Sequence, residues 1–423
     1  MRYRLHSITD YIKGAGLFMS ASVLMLILNL LANPVIALNM SPYDYAITGY
    51  YTSFNGLISP LILFYLIGYY VKEYFKVSPN QREILYAETF KGLIYISGVI
   101  AVICFFVLLV YLCTIKKANR LPILPYLALS VFTIPLSGLL SLKLSRFRIE
   151  KQFKMGFIYS VTTGVFILVV TLLFVALFKW GAFGKLLAPF ICNIVIFSWL
   201  LYTSRDIIKI SIANTKYRQI LKFCFPLVLG AMLEYFSSGY TTTYLESLGD
   251  MTTYGVYVVG VSIGAYITIF SSSISGVIQA DVFEATVNQN WRRLILISLG
   301  EILVVGVIVG CFIFIAPYAI HLLTAGRYDD STIYAQISSI AALSTTIFYR
   351  LNDFAIATNH QYFYFIATII GSVIITVSLY YITRQYGFIG GCWVNALSNL
   401  SFGVILAILL IISNLRFYTS KKY

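Results

Sequence analysis

Arg350 and Asp353 stand in "TTIFYRLNDFAIATN" (345–359), a stretch otherwise apolar enough for a core or a membrane. Three residues apart, they share one helical face, and Ser339 and Thr346 fall on the same stripe. A charge at bilayer depth costs about 2.5–3.5 kcal/mol on insertion scales, so it faces a protein interior and takes a partner. Two chemistries fit Arg350. One is an ion pair that holds its helix against a neighbour; the other is a guanidinium on a cavity wall, gripping phosphate oxygens with both edges while Asp353 orients it.

Glu234, in "PLVLGAMLEYFSSGY" (226–240), lies about 14 residues into an apolar run, about 21 Å along a helix and near mid-bilayer. A carboxyl so placed is neutral through desolvation, paired with a cation, or a proton or cation site, so a coupling ion (H+ or Na+) is compatible with it. Glu301 is similarly deep, but its neighbours "LGEILVVGVIVG" offer no polar stripe and it reads as structural. Asn29 and Asn33 are spaced i, i+4, and Asn395 and Asn399 repeat that spacing. Interhelical hydrogen bonds and recognition of sugar hydroxyls both suit such pairs. Pro34 frees a carbonyl inside its span, a device tolerated where a helix lines a cavity.

These residues need elements that cross a membrane. Of 423 residues 59% are hydrophobic and 11% charged, where soluble domains carry about a quarter charged residues. Runs of about 20 apolar residues, enough to cross the hydrocarbon core, recur at 15–38, 44–70, 91–113, 122–142, 156–178, 182–203, 219–240, 254–278, 292–316, 331–357, 362–382 and 389–414. The fold class expected is all-α: a polytopic membrane protein of about 12 transmembrane helices, in two six-helix bundles around a central cavity. The first run is too long for a cleavable signal peptide and is expected to stay as span one. Connections are short, so any chemistry belongs to the bundle or its mouths.

The six cysteines form no CxxC pair and have no histidine cluster beside them, so neither a disulfide framework nor a metal site is indicated, and no cofactor is called for. A net charge of +14 could suggest nucleic acid, but its distribution argues against that. With the N-terminus inside, inward segments hold 22 Lys and Arg and outward ones hold 7, Arg350 lying within a span. The positive-inside rule then places both termini in the cytoplasm. The densest loops, 143–154 and 205–222, fix topology and touch anionic membrane lipids, with capture of a lipid headgroup as a second reading.

An internal repeat joins "WGAFGKLLAPFICN" (180–193) to "YGFIGGCWVNALSN" (386–399), and a weaker echo joins "PYDYAITGY" (42–50) to "MTTYGVYVV" (251–259). Six spans per half return the chain to its starting side, which makes the repeat parallel. The halves expected are 1–210 and 211–423.

With this layout the chain resembles the O-antigen (Wzx-type) flippases, the polysaccharide branch of the multidrug/oligosaccharidyl-lipid/polysaccharide exporter (MOP) superfamily. The residues that carry the likeness are "LNMSPYDYAITGYY" (38–51), "FPLVLGAML" (225–233), "LGDMTTYGVYVV" (248–259) and the run 357–398. The resemblance implies transport of undecaprenyl-diphosphate-linked oligosaccharide from the cytoplasmic to the periplasmic leaflet of a bacterial inner membrane. It implies no enzymatic step, and other polysaccharide assembly proteins as partners. An ion-coupled multidrug exporter of the same superfamily is the alternative. It should carry a cavity dominated by acids, whereas the clearest buried charge here is Arg350. A polysaccharide polymerase should carry a large outward loop, a glycosyltransferase an acidic metal-binding pair, and a lipid II flippase two further spans.

Overall fold

The computed structural model describes the chain apart from residues 1, 75–76, 116–120, 151, 206–213, 249, 288–289, 359 and 421–423. Lys76, Lys116, Lys117, Arg120, Lys151, Lys209, Lys421 and Lys422, which entered the charge balance above, lie outside the described residues. Among those described, every regular element is helical. In hydrocarbon a backbone must satisfy its own N–H and C=O groups, which a helix does within a single segment.

The chain divides into two compact units, Met1–Met232 and Leu233–Tyr423. Unit one contains α1 (Arg2–Asn39), α2 (Pro42–Ser53), α3 (Asn55–Leu63), α4 (Leu66–Tyr74), α5 (Arg82–Val110), α6 (Tyr126–Ile149), α7 (Phe153–Leu172), α8 (Gly181–Thr203) and α9 (Asn214–Leu233), which ends at the boundary. Unit two contains α10 (Gly239–Glu246), α11 (Met251–Val287), α12 (Trp291–Leu323), α13 (Thr332–Ala357) and α14 (Gln361–Ser420). Seven of the described helices are long and apolar enough to cross a membrane by themselves. One of them, over Tyr362–Ser413, is two arms joined at Gly387. The arms fold back on one another, for a Cβ added at Gly371 would stand 2.1 Å from the Phe402 ring.

Three further passes lack an unbroken apolar window, each for a physical reason. The span read at 44–70 is three helices: α2 gives way to α3 at Phe54, and α3 ends where Phe64 and Tyr65 take left-handed φ of 47° and 53°. The span at 219–240 is broken as well, α9 stopping at Leu233 and a 3₁₀ turn over Glu234–Ser237 leading into α10. Both expectations of a single continuous helix are corrected by these breaks. The α1 run is predominantly apolar throughout 15–38 in sequence, and in α13 the polar stripe lowers the hydropathy. Pro34 lies within α1, which continues past it to Asn39.

The two repeated segments share a backbone feature. Gly181, after Trp180, has φ +51°, and Gly387, after Tyr386, has φ +55°. Left-handed backbone costs an L-residue about 1–2 kcal/mol but costs glycine little, so an aromatic–Gly corner opens the sixth pass of unit one and the second arm of α14. In unit one Asp44 fastens that corner. Its Oδ2 accepts from the Ser41 backbone N–H at 2.9 Å, completing the capping box of α2, while its Oδ1 accepts from the Ala182 N–H at 2.9 Å.

Unit two is drawn together by close approach of α11 and α13. Gly260 and Gly264 lie one turn apart on α11, and a Cβ at Gly260 would stand 2.5 Å from the Ser331 carbonyl oxygen. At Gly264 it would meet Ser338 Oγ at 1.9 Å and the Ala335 carbonyl at 2.8 Å. Small residues at this spacing let membrane helices touch backbone to backbone.

Candidate functional site

The polar residues of unit two form two groups on opposite sides of α13. The first begins at the break after α9. A helix that stops inside the membrane leaves carbonyls without partners, and here hydroxyls from α14 supply donors. Ser398 Oγ lies 2.7 Å from the Ser237 carbonyl and 2.7 Å from the Asn395 carbonyl of its own helix, able to donate to either, while Ser372 Oγ donates to the Thr368 carbonyl at 2.6 Å and approaches the Leu233 carbonyl at 3.4 Å. Glu234 lies at the break, where the Tyr364 hydroxyl donates to its Oε1. Glu234 and Tyr364 are both half-buried. Tyr364 stacks on Phe348 with centroids 6.0 Å apart, and Tyr349, also partly exposed, stands near the same carboxyl. The break therefore presents one carboxyl framed by two phenols, a set able to hold a proton or a cation or to accept from sugar hydroxyls.

The second group is closed. Arg350 is 6% exposed and reaches three partners on three helices. Its Nε lies 3.0 Å from Glu301 Oε2 on α12, its Nη1 lies 3.1 Å from Asp353 Oδ2 on α13, and its Nη2 donates to the Ser275 carbonyl of α11 at 3.2 Å. Ser275 Oγ in turn donates to Glu301 Oε1 at 2.5 Å. The expected stripe of Ser339, Thr346, Arg350 and Asp353 is present and buried throughout. It faces helices, since Thr346 Oγ1 shares a 2.8 Å hydrogen bond with Ser271 Oγ of α11. Consecutive positions on a helix point about 100° apart, so Tyr349 stands by Glu234 while Arg350 turns toward α11 and α12.

The asparagines divide. Asn399 Nδ2 donates to Thr345 Oγ1 at 2.8 Å, joining the second arm of α14 to α13, and Asn395 is buried beside Tyr257. In unit one Asn29 is exposed and donates to the Met25 carbonyl of its own helix at 2.7 Å, while Asn33 is half-buried one turn on. Sequence reasoning missed Glu301 as a partner of Arg350, because the two meet only through packing of α12 on α13. It also passed over Ser372 and Ser398, whose hydroxyls matter only once the break is known. Among the described residues no group of three or more His, Cys, Asp or Glu could hold a metal ion.

Comparison with solved structures agrees on the fold. An inward-facing multidrug resistance MATE family transporter of the MOP superfamily aligns over 96% of this chain and 99% of its own, at 13% identity and a TM-score of 0.66. The lipid II flippase MurJ, in an inward closed conformation, aligns over 93% of this chain and 87% of its own, at 16% identity and a TM-score of 0.67. A mutant form of the Vibrio cholerae MATE transporter VcmN aligns over 97% and 100%, at 15% identity and a TM-score of 0.59. No curated protein matches the chain in sequence. The family model described as "Polysaccharide biosynthesis protein" matches residues 79–331. That match covers more than half of a polytopic, all-helical chain with the fold of the MOP transporters, and the chain belongs to that polysaccharide biosynthesis protein family.

Proposed function

We propose that the protein flips undecaprenyl-diphosphate-linked oligosaccharide units from the cytoplasmic to the periplasmic leaflet of a bacterial inner membrane, for assembly of a surface polysaccharide such as O-antigen or capsule. The observation that carries this reading is the polysaccharide-biosynthesis match across residues 79–331 in a chain with a MOP transporter fold. In this reading the cargo crosses the membrane and no bond is made or broken. Glu234, with Tyr364 and Tyr349, is the polar point at which cargo hydroxyls or a coupling ion, H+ or Na+, engage. Asn395 and Asn399 stand on the arm of α14 whose Ser398 closes the same break, and Asn29 and Asn33 supply polar groups from unit one. Arg350 and Asp353 act on cargo indirectly, through the helices they clamp.

The test is genetic and chemical. Deleting the gene in its host should remove the surface glycan and leave undecaprenyl-diphosphate oligosaccharide to accumulate facing the cytoplasm, and re-expression should reverse both. An intact glycan together with altered resistance to cationic drugs would replace this reading with a multidrug exporter.

A further inference from the structure

At one end of unit one, where α4 and α6 finish and α5 and α7 begin, buried rings and cations collect. The Tyr70 ring lies 5.8 Å from those of both Tyr74 and Tyr86, and the Tyr159 ring lies 5.9 Å from Phe147. All five rings belong to one core cluster. Arg82 rests its guanidinium 4.5 Å from the Tyr74 ring centre and Arg146 rests its own 4.5 Å from Tyr86, while the Lys143 ammonium sits 5.1 Å over Phe147.

The carboxylates here are already engaged. Arg146 Nε donates to Glu150 at 2.8 Å, and its Nη groups reach Glu83. What remains is donor without acceptor. The hydroxyls of Tyr86 and Tyr159 and the Nε of Arg82 are buried and meet no hydrogen-bond partner among the described residues. Tyr86 is 1% exposed and Tyr159 is 9% exposed.

A buried donor without an acceptor is costly, whereas a phenol packed as plain core could be phenylalanine at no loss. Two such phenols and a guanidinium N–H in one cationic cluster call for a compact, multiply accepting anion. A phosphate group fits: its oxygens accept several donors at once, and arginine pairs with it readily. We propose that this end of unit one binds the phosphate group of an anionic lipid headgroup, held by Arg82, Tyr86 and Tyr159 and flanked by Lys143 and Arg146. The site belongs to unit one and shares no residue with the Glu234 break, and it stands whether or not the transported cargo is lipid-linked.

The test uses the full-length protein in neutral detergent, with thermal unfolding followed against phosphatidylglycerol, diacylglycerol and inorganic phosphate. Phosphatidylglycerol should raise the midpoint and diacylglycerol, which lacks the phosphate, should not. Arg82→Gln and the double variant Tyr86→Phe, Tyr159→Phe should each weaken the phosphatidylglycerol response about tenfold, as expected for loss of charge-assisted hydrogen bonds. The phenylalanine pair keeps the rings and their packing, so it stays informative if Arg82→Gln fails to fold. Inorganic phosphate matching the lipid in the wild type, with the same loss in the variants, would support the phosphate site and assign it to the free anion. A phenylalanine double variant that responds to phosphatidylglycerol like the wild type would overturn the proposal, and so would a wild type that responds to neither phosphate compound.

Discussion

Arg350 keeps its charge in an apolar stretch because three helices use it. Removing one partner of a buried ion pair costs about 3–5 kcal/mol, since the other charge is left uncompensated. Arg350→Ala should therefore lower the unfolding midpoint in detergent and the amount of protein in the membrane. Because the guanidinium serves Glu301 as well as Asp353, adding Asp353→Asn alone should give only partial recovery. The triple variant Glu301→Gln, Arg350→Ala, Asp353→Asn should restore abundance, and restored export with it would confirm the clamp. A triple variant that is abundant yet exports nothing would return Arg350 to direct contact with cargo. Glu234 calls for a different experiment, because it is half-buried and touches one phenol. Glu234→Gln keeps a carbonyl acceptor for Tyr364 and removes titration. If Glu234 couples transport to protons, this variant should reach the membrane at normal levels and lose most export, with no dependence on external pH in what remains. Export at the wild-type rate across that pH range would leave Glu234 a structural acceptor.

Helices are governed by closer constraints than hydropathy reports. Gly260 and Gly264 bring α11 against the backbone of α13, so in Gly264→Leu the Ser338 hydroxyl could turn aside but the Ala335 backbone carbonyl could not, and the change should cost about the 1–3 kcal/mol typical of overpacking. The check is the unfolding midpoint of the variant beside Gly300→Leu, a control whose added Cβ meets nothing within 4 Å. Equal midpoints would mean that the α11–α13 contact carries little of the stability of unit two. The length of the apolar runs made the long helices legible, and the i, i+3 spacing made the Arg350–Asp353 pair legible, because both signals are local. Glu301 was read as structural, but its pairing with Arg350 was hidden for the opposite reason: the partner lies on another helix, and no pattern along α12 announces it. The breaks at Phe64–Tyr65 and at Glu234 were hidden too. The left-handed residues at the first are a phenylalanine and a tyrosine, and the carbonyls opened at the second find their hydroxyls far along the chain. The aromatic–Gly corners were visible as a repeat, but the positive φ shared by Gly181 and Gly387 emerges only from the backbone.

Across the whole molecule, sidedness follows from what lies in the lipid and what lies at its edges. Phe314, Tyr318 and Leu322 recur every fourth residue along α12 and are 82%, 80% and 72% exposed, as befits a face turned to acyl chains. The charged residues collect instead at helix ends, as Glu83, Arg146 and Glu150 do where α5 starts and α6 stops. Basic residues favour the cytoplasmic side of short loops, and an inside N-terminus would put 22 of them in inward segments against 7 in outward ones, so both ends of the chain should lie in the cytoplasm. Reporter fusions after Ser413 and within 143–154 should then read cytoplasmic, while a fusion at Ser247, between α10 and α11, should read periplasmic. The Ser247 fusion is the most demanding of the three, because it requires α9, the turn at Glu234 and α10 to make one crossing in spite of the break. A cytoplasmic reading there would make that segment re-enter on its own side and leave an odd number of crossings. It would then remove the parallel relation between the halves, even though the Gly181 and Gly387 corners match.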